Sequence, residues 1–331
     1  MKEELLVDSY YMYNFKADPS NTPPGGRVYD TQSNSFTLNY AKVGLEVDAD
    51  PVTVRADIGF GQLAALLGGA AGPYSTAIQQ AYASLKIPGT QLTLDMGRFN
   101  TTAGAEVIEA NRNWLYSRSM LFYIIPVHHT GLRASYKIND MVGVQATLAN
   151  GIFADMPDNN TPKTVGLSVS VAPLPTTAFV LTGYLGKEGA TGTTSDPQHL
   201  TIDFVASHNV SDQFGLNLNI DYVKGKTATM TPGDSSSYAF GASLMARYVL
   251  DEHVNVAARG EFIKDKGIFL DPDGQEYEGT AMIGFPFAGH LEIRAELRGD
   301  FAKNAIFMKN ANPADASKSQ FTGTLAFLGF I

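Results

Sequence analysis

The 331-residue chain contains no cysteine and only one tryptophan. Without cysteine there can be no disulfide framework, no thiolate metal site and no cysteine nucleophile. Positive charge is also scarce: 24 Lys and Arg against 33 Asp and Glu leave a formal net charge of −9. That balance repels phosphate backbones and excludes nucleic acid as an expected partner. Long apolar runs are missing as well. The longest, around Leu63 to Ala71 and Met120 to Val127, fall far short of the roughly 18 residues of a membrane-spanning helix. A helical membrane protein is excluded, but a β-barrel is not, because barrel strands alternate and carry no continuous apolar run. A hydrophobic fraction of 44% is too rich for a disordered chain. The opening MKEELLVDSY lacks the apolar stretch of a secretory signal, which is expected to be absent or already removed.

What the chain does have is period two, repeated from end to end. In LEIRAELRGDF, Leu291, Ile293, Ala295, Leu297 and Phe301 share one face, while Glu292, Arg294, Glu296, Arg298 and Asp300 share the other. Successive side chains of a strand point to opposite faces, so this segment is a strand with one greasy and one charged surface. VTVRADIGF and FGLNLNIDY repeat the pattern. The second strand slips phase near Lys42, where a bulge is expected. Tight links (Asp48 to Pro51, Ile138 to Asp140, Val210 to Asp212) alternate with long polar or glycine-rich loops, among them 15–32, 100–127 and 224–236. Short, long, short, long is the rhythm of an up-and-down meander with turns at one rim and loops at the other. The reading is all-β: a transmembrane antiparallel barrel of about sixteen strands, with residues 1–331 as a single domain. A propeller would show a recurring blade of roughly 40–50 residues, and no such repeat occurs.

Strand phase assigns the inner surface. On the basic side it carries Arg55, Arg133, Arg247, Arg259, Arg294 and Arg298; on the acidic side, Asp57, Asp95, Glu261 and Glu296. A barrel of this size leaves an aqueous channel, where fixed charge sets which ions concentrate. The competing reading is that these groups are ion pairs knitting the wall together, each worth little. In the loop 100–127, Ala105 to Ala110 is expected to make a helical turn that sets Glu106 and Glu109 on one face. Arg112 and Arg118 follow, and Trp114 is available as an anchor. The apolar stretch from Leu63 to Ala71 is too greasy for open water and should pack on this loop, on a neighbouring subunit or at the membrane rim. Tyr40, Tyr136, Tyr222, Tyr248 and Phe301 are expected at the membrane interfaces.

Other chemistries find little support. DPDGQEYEG offers Asp271, Asp273 and Glu276 as a weak calcium set, but the full twelve-residue ligand pattern is missing. His128 and His129 are adjacent, so in a strand they face opposite ways. No nucleophile elbow or phosphate loop is present, so no catalytic residue, cofactor or enzyme activity is expected.

The stretch from Phe60 to Arg133 resembles the OmpL-like β-barrel porins of Gram-negative bacteria. The motifs that carry the likeness are FGQ (Phe60 to Gln62), QQAYASLK (Gln79 to Lys86), LTLDMGRF (Leu92 to Phe99) and AGAEVIEANRNW (Ala103 to Trp114). YSRS (Tyr116 to Ser119) and HTGLRASY (His129 to Tyr136) extend it. The final strand, ending at Phe330 and Ile331, resembles the signal that directs such barrels to their assembly machinery. The resemblance implies an outer-membrane protein in contact with lipid, with ions and small hydrophilic solutes passing down their gradients. It also implies an inward-folded third long loop as constriction, and a homotrimer. Two alternatives stay open: a substrate-specific uptake channel, and a closed barrel serving as a structural anchor.

Overall fold

The computed structural model describes residues 1–17, 26–27, 29–68, 77–153, 158, 160–188, 198–225, 237–268, 274–310 and 312–331. Sixteen strands appear where the alternation is strongest. The first eight are β1 (Lys2–Asn14), β2 (Ser35–Ala49), β3 (Val52–Phe60), β4 (Ile78–Lys86), β5 (Leu92–Asn100), β6 (His128–Lys137), β7 (Val142–Ala149) and β8 (Thr164–Leu174). The rest are β9 (Thr177–Lys187), β10 (Gln198–Asn209), β11 (Phe214–Lys224), β12 (Tyr238–Val249), β13 (Asn255–Lys266), β14 (Gly274–Phe287), β15 (Leu291–Ala302) and β16 (Ser319–Phe330). Each pairs antiparallel with its sequence neighbours, and β1 pairs with β16 from Leu6↔Phe330 to Asn14↔Thr322, closing the sheet. Closure leaves no strand edge exposed, which hydrocarbon surroundings demand of any spanning sheet.

The two faces are ordered opposite to those of a soluble sandwich. On β15, Glu292, Arg294, Glu296, Arg298 and Asp300 are buried, whereas Leu297 is 65% exposed. The same holds around the ring: polar side chains line the inside and Leu, Val, Ile and Phe cover the outside. Such an exterior is stable in contact with lipid, where apolar surface needs no shielding. Tyr136, Tyr248 and Phe301 stand exposed on that exterior.

Two local readings change. The bulge of β2 falls at Asn39 rather than near Lys42: Tyr40 pairs with Asp8 and Leu38 with Ser9, leaving Asn39 unmatched. The extra residue turns Asn39 and Tyr40 inward together, so Tyr40 is 1% exposed and does not reach a membrane interface. Gly59 gives it room, since a Cβ there would lie 2.5 Å from the Tyr40 ring.

A helix α1 (Gln62–Gly68) follows β3, and a single turn α2 (Leu121–Ile124) lies within the segment between β5 and β6. Gly97 and Gly131 face each other across β5 and β6. Gly97 has φ +138°, and a Cβ would meet the Ala81 carbonyl at 2.2 Å. Backbone cannot step aside as a side chain can. Gly97→Ala is expected to lower barrel stability by about 1–3 kcal/mol, read as a smaller folded fraction in the heat-modifiable gel mobility of refolded protein.

Candidate functional site: the inner wall and residues 101–127

Residues 101–127 carry almost no regular structure, only a 3-10 turn at Ala110–Arg112 and α2. Their backbone N–H and C=O groups therefore need partners from elsewhere. The inner wall supplies them. Glu296 of β15 accepts the N–H groups of Tyr116 (2.7 Å) and Ser117 (3.1 Å). Glu261 of β13 accepts those of Met120 (2.8 Å) and Leu121 (2.7 Å). Arg294 donates to the carbonyls of Ala110 (2.9 Å) and Leu115 (3.3 Å), and Arg298 to that of Arg118 (2.7 Å). Asn219 of β11 accepts from Ala105 N–H at 3.0 Å. Much of the wall's charge is thus matched to peptide groups.

Ion pairs complete the attachment. Lys42 reaches Glu109 at 2.5 Å, Glu4 at 3.1 Å and Asp57 at 3.4 Å. Arg55 pairs with Asp57 (2.6 Å) and Glu4 (2.8 Å), and Arg112 joins Glu4 at 2.9 Å. Arg259, fully buried, bridges Glu106 (2.9 Å) and Glu278 (2.7 Å) and donates to Ser117 O at 2.8 Å. Arg294–Glu292 and Arg298–Asp300 pair along one strand, each at 2.7 Å. Positive and negative groups therefore neutralise each other locally instead of segregating on opposite walls.

Apolar contacts hold the segment from its other sides. Leu63 and Ala64 of α1 share a buried cluster with Ile108, Met120, Leu121 and Ile125, so the described part of the apolar stretch packs on this segment. Leu115 sits with Met245, Ala257 and Met282, with Trp114 packed against them. Trp114 also lies over β11, where a Cβ on Gly215 would stand 3.0 Å from its ring.

The helical turn expected at 105–110 lies elsewhere. Glu109 has extended backbone (φ −75°, ψ 119°) and precedes the 3-10 turn. Glu106 and Glu109 are drawn to cations on different strands, Arg259 and Lys42, and two such pulls are incompatible with one short helical face. Arg118 turns back on its own segment, donating to the carbonyls of Val107 (3.0 Å), Tyr116 (2.5 Å) and Ile108. Asp95 and Arg133 pair at 2.7 Å on β5 and β6, and the Arg133 guanidinium lies 4.3 Å from the centre of the Phe99 ring. Arg247 is half-buried on β12. Of the weak calcium set, Asp271 and Asp273 lie outside the described residues, and Glu276 is buried on the inner face of β14.

Sequence reading missed Asp8, Asn39 and Tyr116. The Tyr116 hydroxyl donates to Asp8 at 2.8 Å, and the Asn39 amide donates to Asp8 (2.8 Å) and to Tyr116 Oη (3.3 Å). Burial, together with the Asp8 carboxylate, pushes the Tyr116 phenol well above its ordinary value, so it remains a donor throughout the working range of pH. Tyr116→Phe leaves the Asp8 carboxylate short of a donor and is expected to cost about 1.5–3 kcal/mol, measured by urea unfolding in detergent.

Across the barrel from these anchors, β5 to β9 present a different surface. A cavity of ≈ 430 Å³ opens there, bordered by Thr93, Ser135, Gln145, Ser168, Ser170 and Lys137. Its wall combines hydroxyl, amide and apolar groups with Lys137, which pairs with Asp140 at 2.7 Å.

A closed sheet, greasy outside and polar within, with a buried segment fastened to its inner wall, defines an outer-membrane β-barrel of the porin type. The chain belongs to the family described as "Putative beta-barrel porin-2, OmpL-like", whose model matches residues 3–329. No curated protein matches it. Among solved structures it is similar to the outer-membrane-expressed OmpT of Vibrio cholerae, with 11% identity, TM-score 0.66, and coverage of 100% of this chain and 97% of that one. The outer-membrane channel DcaP of Acinetobacter baumannii gives 10% identity and TM-score 0.66 over 100% and 96%. An anion-selective porin from Comamonas acidovorans gives 12%, 0.64, and 100% and 99%. Likeness at this level of identity is likeness of fold.

Proposed function

We propose that the protein is a passive diffusion porin, not an enzyme, in which ions and small hydrophilic solutes pass between residues 101–127 and the β5–β9 wall. The observation that carries this reading is the asymmetry of the interior. The β10–β16 and β1–β2 side is filled by the anchored segment, while the β5–β9 side holds the ≈ 430 Å³ cavity. The segment sets the width of the path. At the cavity the charged pairs are Lys137 with Asp140 and, next to it on the wall, Arg133 with Asp95. The whole chain acts as one unit, and a homotrimer is part of the same proposal.

Single-channel recording in a planar bilayer tests it. Ohmic steps with weak ion selectivity support the porin reading, and steps arriving in groups of three support the trimer. Current block by one solute would point to a substrate-specific channel. Silence from correctly inserted protein would overturn the proposal in favour of a closed anchoring barrel. Arg133→Glu reverses the charge at the edge of the path, and the zero-current potential in a salt gradient should move toward cation preference.

A further inference from the structure

We propose that Asp203 and Asp221 form a binding site for one hard divalent cation of calcium's chemistry, set in the inner wall beneath residues 102–105. The two residues are direct partners across β10 and β11, both on the inner face and both 0% exposed. Their carboxyl groups lie within hydrogen-bond reach of each other. The Asn219 amide donates to both, at 2.7 and 3.4 Å, and the Gly104 N–H donates to Asp203. Several other inner-wall acids sit against cations (Asp57 against Lys42 and Arg55, Asp95 against Arg133, Glu278 against Arg259), and Asp8, Glu261 and Glu296 are each held by two neutral donors. Among the described residues no ion pair involves Asp203 or Asp221, and one oxygen of each carboxylate has no hydrogen-bond partner.

Two neutral oxygens point to the same ligand. Thr201, 0% exposed, precedes Asp203 on the inner face and is the diagonal neighbour of Asp221; its hydroxyl has no partner. Ser243, also buried with an unpartnered hydroxyl, is the diagonal neighbour of Asp221 from β12. Directly opposite Asp221 stands Gly241, and the space a Cβ would fill there is taken by Leu121, 2.5 Å from that position. The site is thus roofed by hydrocarbon. Two bare carboxylates in such a place are strongly disfavoured because their desolvation is uncompensated, and a cation removes that cost while using the free oxygens.

Calcium accepts oxygen ligands in flexible number and keeps water where protein supplies too few. No group of three or more His, Cys, Asp or Glu side chains able to hold a metal occurs among the described residues. With two carboxylates and neutral oxygens, affinity should resemble that of weak extracellular sites, with Kd on the order of 10⁻⁴–10⁻³ M. Because Gly104 and Ala105 bond to Asp203 and Asn219, an occupied site also fastens the start of the inner segment.

The test is calorimetric titration of calcium chloride into the full-length folded protein after chelator treatment, beside thermal unfolding with and without calcium. One calcium per chain and a raised unfolding temperature are expected. Both should vanish in the Asp203→Asn, Asp221→Asn double variant, which keeps shape and removes repulsion. They should persist in Asp140→Asn, which changes an exposed turn carboxylate. Folding of each variant is checked by gel mobility. Absence of saturable binding, or equal binding by the double variant, overturns the proposal.

Discussion

Arg259→Ala is expected to be the most damaging single substitution in the barrel, lowering stability by about 3–5 kcal/mol. The guanidinium has no solvent exposure and holds Glu106 of the inner segment and Glu278 of β14 at once, with a third bond to the Ser117 carbonyl. Among the described residues, truncation leaves buried Glu106 with only the Ser119 N–H (2.8 Å) and buried Glu278 with the Thr280 hydroxyl and the more distant Arg298 guanidinium (4.0 Å). Removing one member of a buried pair costs far more than the pair contributes over a neutral replacement, because the partner's desolvation is left uncompensated. Arg259→Lys keeps the charge but loses the fork, and should fall between the two. The Arg259→Ala, Glu278→Gln double variant should recover part of the loss. Urea unfolding followed by the emission of Trp114, the single tryptophan, reads all three. Equal stability of wild type and Arg259→Ala would refute the network.

The second large effect is on conductance. Glu261→Ala combined with Glu296→Ala removes the acceptors of four consecutive-region N–H groups, those of Tyr116, Ser117, Met120 and Leu121. Each orphaned donor costs about 1–3 kcal/mol if it stays buried. The segment has a cheaper course, which is to leave the wall and find water. A several-fold rise in single-channel current, with added noise, is the expected outcome, since a barrel of this strand number is wide once emptied. The Glu261→Gln, Glu296→Gln variant keeps one carbonyl acceptor per site and should change the current much less. Unaltered current in the alanine variant would show that the apolar contacts of Leu115 and α1 hold the segment unaided.

These two results concern contacts of a kind the sequence does not display. Period-two alternation is a local property, and it fixed β15 as a strand with Arg294, Glu296 and Arg298 on one face. The turn and loop rhythm likewise marked sixteen strands with loops along one rim. Both rest on interactions between near neighbours in the chain, or on the solvent each face meets. The bulge at Asn39 was misplaced by a few residues because Tyr40, amphipathic, suits either face.

The inner site is different in kind. Nothing in the spacing of Glu106 and Glu109 says that one will meet Arg259 and the other Lys42. The Glu296 carboxylate meets the N–H of Tyr116 across 180 residues of chain, and Glu261 that of Met120 across 141. The sequence by itself determined the barrel, its two faces and the charged character of its interior, because alternation and turn chemistry are written in adjacent residues. Only the tertiary structure decided what each charge is for, because an irregular segment takes its path from whichever distant wall groups satisfy its backbone.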